Sequence, residues 1–151
     1  MGKHSKGLAI SLALGATFVV LGVLEIIAQW VDDQWLNYLS TNGNLMLGLV
    51  LMLAGAVLLA AAKGFREGVD GEAYMIVGCA LALFVGLVAL LTLAADASEA
   101  YLFGNEDFTE WAPLDDFTLA IPMMVPSLIA LWYGLKTFRS EASQAITEVG
   151  E

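Results

Sequence analysis

The sequence is poor in the residues that do chemistry. It holds one cysteine, Cys79, and one histidine, His4, in 151 residues. A single cysteine excludes an intrachain disulfide and a paired-thiol redox centre. A single histidine excludes a bis-histidine haem inside a membrane. Charge is scarce as well: only 15% of residues are charged, where soluble domains carry about a quarter. Six basic residues stand against 16 acidic ones, for a net charge of −10. Nucleic acid selects basic surfaces, so it is not an expected partner. There is no P-loop, no HExxH and no CxxC. Ser127 has no histidine within the membrane to activate it. The acid pairs Asp32-Asp33, Glu106-Asp107 and Asp115-Asp116 lack EF-hand spacing. No enzymatic activity, metal or cofactor is therefore expected.

Apolar length is what the chain has in excess. Hydrophobic residues make up 59%, and the mean hydropathy is +0.76. Four apolar runs cover residues 7–30, 44–62, 73–95 and 117–135. Each is long enough for a helix to cross about 30 Å of hydrocarbon. Backbone groups in lipid must be paired within their own segment, which excludes an open sheet. The expectation is an all-α integral membrane four-helix bundle, folded as one domain over residues 1–151. The basic n-region MGKHSK resembles a signal peptide, but the run behind it is too long and lacks a convincing cleavage site. It is expected to remain as the first helix.

The basic residues set the orientation. Lys3 and Lys6 precede the first run, Lys63 and Arg66 separate the second from the third, and Lys136 and Arg139 follow the fourth. All six fall on one side. The positive-inside rule then places both termini in the cytoplasm of a multi-pass cell-membrane protein. Aromatic belts agree, with Trp30, Trp35, Tyr38, Tyr101 and Trp111 outside, and Phe65, Tyr74, Trp132 and Tyr133 inside. The outer loop, residues 96–116, mixes seven acids with four aromatics and has no basic residue. A short interfacial helix over residues 97–103 is expected there. Loops of that length are usually functional or disordered, and this one suits a cap that attracts cations.

Small and polar residues follow helical stripes. In the first run Ser11, Gly15, Phe18, Gly22, Glu25 and Gln29 fall on one narrow face at about 100° per residue. In the third, Gly78, Ala82 and Gly86 form a small-xxx-small series, expected to make the closest helix–helix contact. Gly48 and Gly55 lie one heptad apart in the second. In the fourth, Pro122 and Pro126 are expected to kink the helix and free the carbonyls of Thr118 and Pro122. Cys79 reads as a packing residue and His4 as an exposed flank.

Glu25 lies about 7–8 Å inside Trp30 at 1.5 Å per residue. An ionisable residue at that depth is a functional hypothesis by default. No Lys or Arg lies on its side, so a buried Glu25 is expected to hold a proton or a cation. The candidate ion site comprises Glu25, Gln29, Asp96 and Thr118. Gly15, Gly22, Gly78, Ala82 and Gly86 are the candidate packing residues.

Two functions fit these features. One is an accessory or scaffold subunit that packs in the lipid bilayer with itself, as a homo-oligomer, or with a larger membrane complex. The other is a small transporter or channel-like protein for a cation, proton or small solute, using Glu25. A continuous polar path through the bundle would favour the transporter. A dry interior with an exposed apolar groove would favour the subunit. The orientation is tested directly by cysteines introduced at Gly43 or Asn105. They are expected to react with an impermeant thiol reagent applied outside intact cells, and labelling only after lysis would reverse the topology.

Overall fold

A computed structural model describes residues 3–31, 44–103, 112–113 and 117–149. Four helices account for most of them: α1 (Lys3–Ala28), α2 (Leu45–Glu67), α3 (Gly71–Ser98) and α4 (Met124–Val149). A single π-helical turn, Glu99–Phe103, continues α3. There is no strand among the described residues. Three helices, α1, α2 and α3 with its π-turn, are long and apolar enough to cross a membrane. The expected bundle is thus present, and the protein is a small integral membrane protein.

The order of packing follows the chain. α1 packs most extensively on α2, α2 on α3 and α3 on α4, while α4 touches α1 less. The core is apolar. Phe18, Leu58, Met75 and Cys79 are its largest fully buried apolar side chains, with Ala54, Ala61 and Ala82 filling the narrow places. Cys79 is a buried packing residue, as its surroundings in the sequence suggest.

The closest approach of two helices is not where the small-residue series of α3 puts it. It lies between α1 and α2. A Cβ added to Gly22 would sit 2.6 Å from the Gly48 carbonyl oxygen and 2.8 Å from the Met52 nitrogen. A Cβ added to Gly48 would sit 2.8 Å from the Gly22 carbonyl oxygen. Gly15 and Gly55 repeat the arrangement two turns away, at 3.1 and 2.9 Å. Four glycines in two reciprocal pairs bring backbone against backbone. In lipid no hydrophobic drive holds helices together, so dispersion at such short range supplies the attraction. Gly78 of α3 instead faces the Leu58 side chain, and Gly86 faces the Met124 side chain with the Ala120 carbonyl behind it. Those contacts are close, but on the Gly86 side the nearest atoms belong to a flexible methionine.

The turn from α2 to α3 is three residues long. Gly68 ends α2 in the left-handed region at φ 74, and its N–H bonds the Gly64 carbonyl. Val69 N–H donates to the same carbonyl at 3.0 Å. Asp70 is also left-handed, at φ 43, which is uncommon for a residue with a side chain. Phe65 does not belong to the inner aromatic belt. Its ring is buried, pressed between Gly7 of α1 and Gly71 of α3. Tyr74 and Trp132 do face outward, and the Lys136 ammonium stands 5.3 Å from the Trp132 ring centroid. At the other end Trp30 and Tyr101 are exposed. Trp35, Tyr38 and Trp111 lie outside the described residues.

Two boundaries differ from the sequence reading. α3 does not stop at residue 95 before a separate interfacial helix; it runs to Ser98 and passes directly into the π-turn. Its 28 residues span about 42 Å, more than the hydrocarbon needs. α4 begins at Met124, seven positions later than residue 117. Residues 117–123 form a run of turns instead. Pro122 therefore precedes the helix, and Pro126 sits in its first turn, where a missing N–H costs nothing. The freed carbonyls do not arise. Thr118 C=O accepts from Ile121 N–H at 3.1 Å, and Pro122 C=O accepts from Val125 N–H at 3.2 Å.

The glycine pairs generate a stability prediction. Gly22→Ala forces a methyl group against fixed backbone and is expected to destabilise the bundle by about 2–3 kcal/mol, the upper range for overpacking. Gly86→Ala meets a flexible Met124 side chain and, at 3.0 Å, the Ala120 carbonyl, and is expected to cost less, about 1–2 kcal/mol. Reversible unfolding in detergent measures both, and equal losses would show that the α1–α2 contact holds no special place.

Candidate functional site

The polar stripe of α1 faces the bundle. Ser11, Gly15, Phe18, Gly22 and Glu25 are all buried, and only Gln29, at the outer end, is exposed. Glu25 is 3% exposed. It lies one turn beyond Gly22, so the tight α1–α2 contact holds it against the second helix. Leu47 and Leu51 of α2, and Leu21 of α1, flank it in a crevice of about 10 Å³. That volume has room for about one water molecule at most.

The remaining wall of the crevice is Thr118, Leu119 and Ala120. These belong to the turns that precede α4. Irregular backbone at membrane depth is tolerated only where protein buries it. Burial is achieved here: Thr118 and Ala120 are both buried, and the Ala120 carbonyl reaches the Gly86 face of α3. The segment fits because Gly86 has no side chain. Thr118 Oγ1 has no hydrogen-bond partner among the described residues.

Of the four candidate ion-site residues, Glu25 and Thr118 are therefore brought together. Gln29 is exposed, and Asp96 is half-buried in the last turn of α3; neither lines the crevice. The acidic part of the outer loop lies largely outside the described residues. Two hydroxyls of α4 are occupied by carbonyls one turn back. Ser127 Oγ donates to the Met123 carbonyl at 2.8 Å and Thr137 Oγ1 to the Tyr133 carbonyl at 3.0 Å.

Further spaces open on the bundle, among them one of about 440 Å³ between α1 and α2 beside Lys63, Arg66 and Glu67. On the outer half, a groove of about 320 Å³ runs between α2 and α3. Leu47 and Val50 form one wall, Phe84, Val85 and Val88 the other, and the buried Thr118 lines it too. At the opposite end, a cavity of about 190 Å³ lies where the start of α1, the α2–α3 turn and α4 meet. His4, Asp70, Glu72 and Phe138 line it. The two ends thus differ: one is apolar and open to the side, the other polar. No group of three or more His, Cys, Asp or Glu suited to a metal occurs among the described residues.

Residues 3–136 match the family described as the MJ0565 integral membrane domain. The chain belongs to that family. No curated protein and no solved structure gives a match.

The family description agrees with the four-helix membrane fold and names no activity. The site residue that sequence reasoning passes over is Glu72. It stands in GEAYMIVG, at the edge of an apolar run, where an acid reads as an ordinary first-turn residue of a helix. In the structure it is 6% exposed, and its Oε1 has no hydrogen-bond partner among the described residues. Only the short α2–α3 turn, with Gly71 packed on Phe65, folds this position inward. A signal existed in the spacing: Gly68, Gly71 and the acids Asp70 and Glu72 make a compact turn with carboxylates on both sides of it.

Proposed function

We propose that this protein is a non-enzymatic accessory subunit of the cell membrane, which docks an apolar transmembrane helix in the groove between α2 and α3. The groove itself carries this reading. A membrane bundle that only faced lipid would present a convex surface there, and this one presents about 320 Å³ of concave apolar space. The bundle interior supports it as well. Between Glu25 at one end and Glu72 at the other lie Phe18, Leu58, Met75 and Cys79, all buried and apolar. An interior of that kind, with few buried polar groups such as the hydroxyls of Ser11 and Ser127, suits a protein whose work is done on its flank. Val85 and Ala89 on the α3 wall are small enough to admit the ridge of an incoming helix. The docked helix belongs to a larger membrane complex, and a second copy of the chain is the competing occupant.

Filling the groove tests this. Val88→Trp and Ala89→Trp are expected to lower cross-linking to the partner in native membranes by about tenfold, near 1.4 kcal/mol of lost contact. Melting in detergent should stay unchanged for Val88→Trp, because Val88 is exposed; Ala89 packs partly against the core, so Ala89→Trp counts only where its melting is unchanged too. Mass spectrometry of the cross-linked species separates a second copy from a different protein. Undiminished cross-linking would overturn the groove as the docking site.

A second reading rests on Glu25. An acid buried at membrane depth beside a threonine hydroxyl suits a site that exchanges a proton or cation with the outer face. Glu25→Gln keeps the shape and removes the charge. It is expected to abolish any pH-linked flux in proteoliposomes while the fold survives. Flux that is equal in both proteins would remove Glu25 from the mechanism.

A further inference from the structure

We propose that the polar cavity at the basic end of the bundle binds a primary ammonium group, carried by an aminolipid headgroup or by a small free amine. The argument starts at Glu72. It is the second residue of α3. A carboxylate taken out of water needs a partner, because desolvation without one is costly. Glu72 is 6% exposed and its Oε1 has no partner among the described residues.

The surroundings define what that partner is. Asp70, two residues away, lines the same cavity and is held in a left-handed conformation. It stands at the N-cap of α3, is exposed, and its side chain makes no capping bond. Strained backbone of this kind persists where the surrounding structure fixes it, and it clusters at ligand sites. Among the described residues, no Lys or Arg lines the cavity, and His4 is the basic side chain on its wall. Lys63, on the preceding helix, is directed instead at Glu67, at 3.9 Å.

Asp70, Glu72 and His4 do not form a group suited to a metal ion among the described residues, which argues against a bare divalent ion. The two carboxylates suit a cation that brings its own hydrogen-bond donors. An ammonium has three N–H groups, enough for Oε1 of Glu72 and the Asp70 carboxylate together. Phe65 and Phe138 complete the wall with apolar surface that can pack against a short alkyl stem. A cavity of about 190 Å³ has room for an ethanolamine-sized group. Its place beside the first turn of α1 and the exposed Phe138 puts it at the membrane interface, where a headgroup and a soluble amine both have access. This inference is independent of the groove at the other end.

The test uses the full chain in phosphatidylcholine nanodiscs, titrated calorimetrically with free ethanolamine and with choline. Choline has no N–H to donate. Ethanolamine is expected to bind at least about tenfold more tightly than choline, the equivalent of one charge-assisted hydrogen bond. Glu72→Gln should weaken ethanolamine binding by about tenfold or more, while Glu67→Gln leaves it unchanged. Native mass spectrometry from mixed phosphatidylethanolamine and phosphatidylcholine nanodiscs identifies the source. Selective retention of phosphatidylethanolamine marks a headgroup site, and binding of free amine without it marks a soluble ligand. If neither ethanolamine nor phosphatidylethanolamine binds, if choline binds equally, or if Glu72→Gln changes nothing, the proposal is overturned. Where Glu72→Gln does not fold, the ethanolamine and choline comparison on the wild-type protein decides alone.

Discussion

The bundle depends on the backbone contact between α1 and α2. Gly22 and Gly48 leave no room for a Cβ on either side, and Gly15 and Gly55 repeat the constraint two turns away. A lipid tail is as apolar as leucine, so burying leucine gains little here. What two helices gain is close, extensive dispersion, and only small residues permit it. The rest is arranged around that pair. α3 rests on the far side of α2 through Gly78 and Leu58, and α4 rests mainly on α3. The depth of Glu25 is set by the same contact, because the residue follows Gly22 by one turn and cannot turn outward while the helices touch.

The second constraint is backbone satisfaction. Residues 117–123 cross the outer part of the bundle without a continuous helix, since α4 from Met124 to Leu135 supplies only about 18 Å. Such a segment survives in a membrane only when covered, and the glycine at position 86 provides the cover by letting the Ala120 carbonyl come close. Gly86 thus serves the entry to α4 more than a helix–helix seam. The crevice at Glu25 is a consequence: one wall of it is made from this covered segment.

The parts of the fold that were legible in the sequence are those set by composition and period. Four apolar runs and six basic residues on one side required no tertiary knowledge. The α1 stripe was readable because five of its six members share one face and that face is buried. The prolines were misread because a proline inside an apolar run looks like a kink, and whether it stands in a helix or before one depends on which carbonyls are already paired. Thr118 and Pro122 pair with Ile121 and Val125 through short turns that no pattern announces. The choice of the α3 series over the α1–α2 pairs failed for a related reason. Spacing shows which helix has a smooth face, and it takes two matched faces to make a contact. Gly15 and Gly22 were visible on the α1 stripe and Gly48 and Gly55 in α2, but nothing in the spacing says that these two faces meet. The inward places of Phe65 and Glu72 depend on the fold of a three-residue turn, of which the spacing of Gly68 and Gly71 was the one hint.

The position of the two buried carboxylates limits what each can do. Glu25 lies against α2 and the turns before α4, in a crevice with room for about 10 Å³. Glu72 lies at the opposite end, beside a cavity nearly twentyfold larger by the same measure, about 190 Å³. An apolar layer of Phe18, Leu58, Met75 and Cys79 separates them. A cation moving from one to the other would shed its water for an interior whose buried polar groups include a few hydroxyls, such as those of Ser11 and Ser127, at a cost of several kcal/mol or more even in a relaxed protein. An acid in a closed crevice can answer only to a proton or a very small ion. An acid beside an open polar cavity can answer to a molecule. The ligand proposed for the one end and the packing role proposed for the other flank rest on that difference in space more than on any difference in charge.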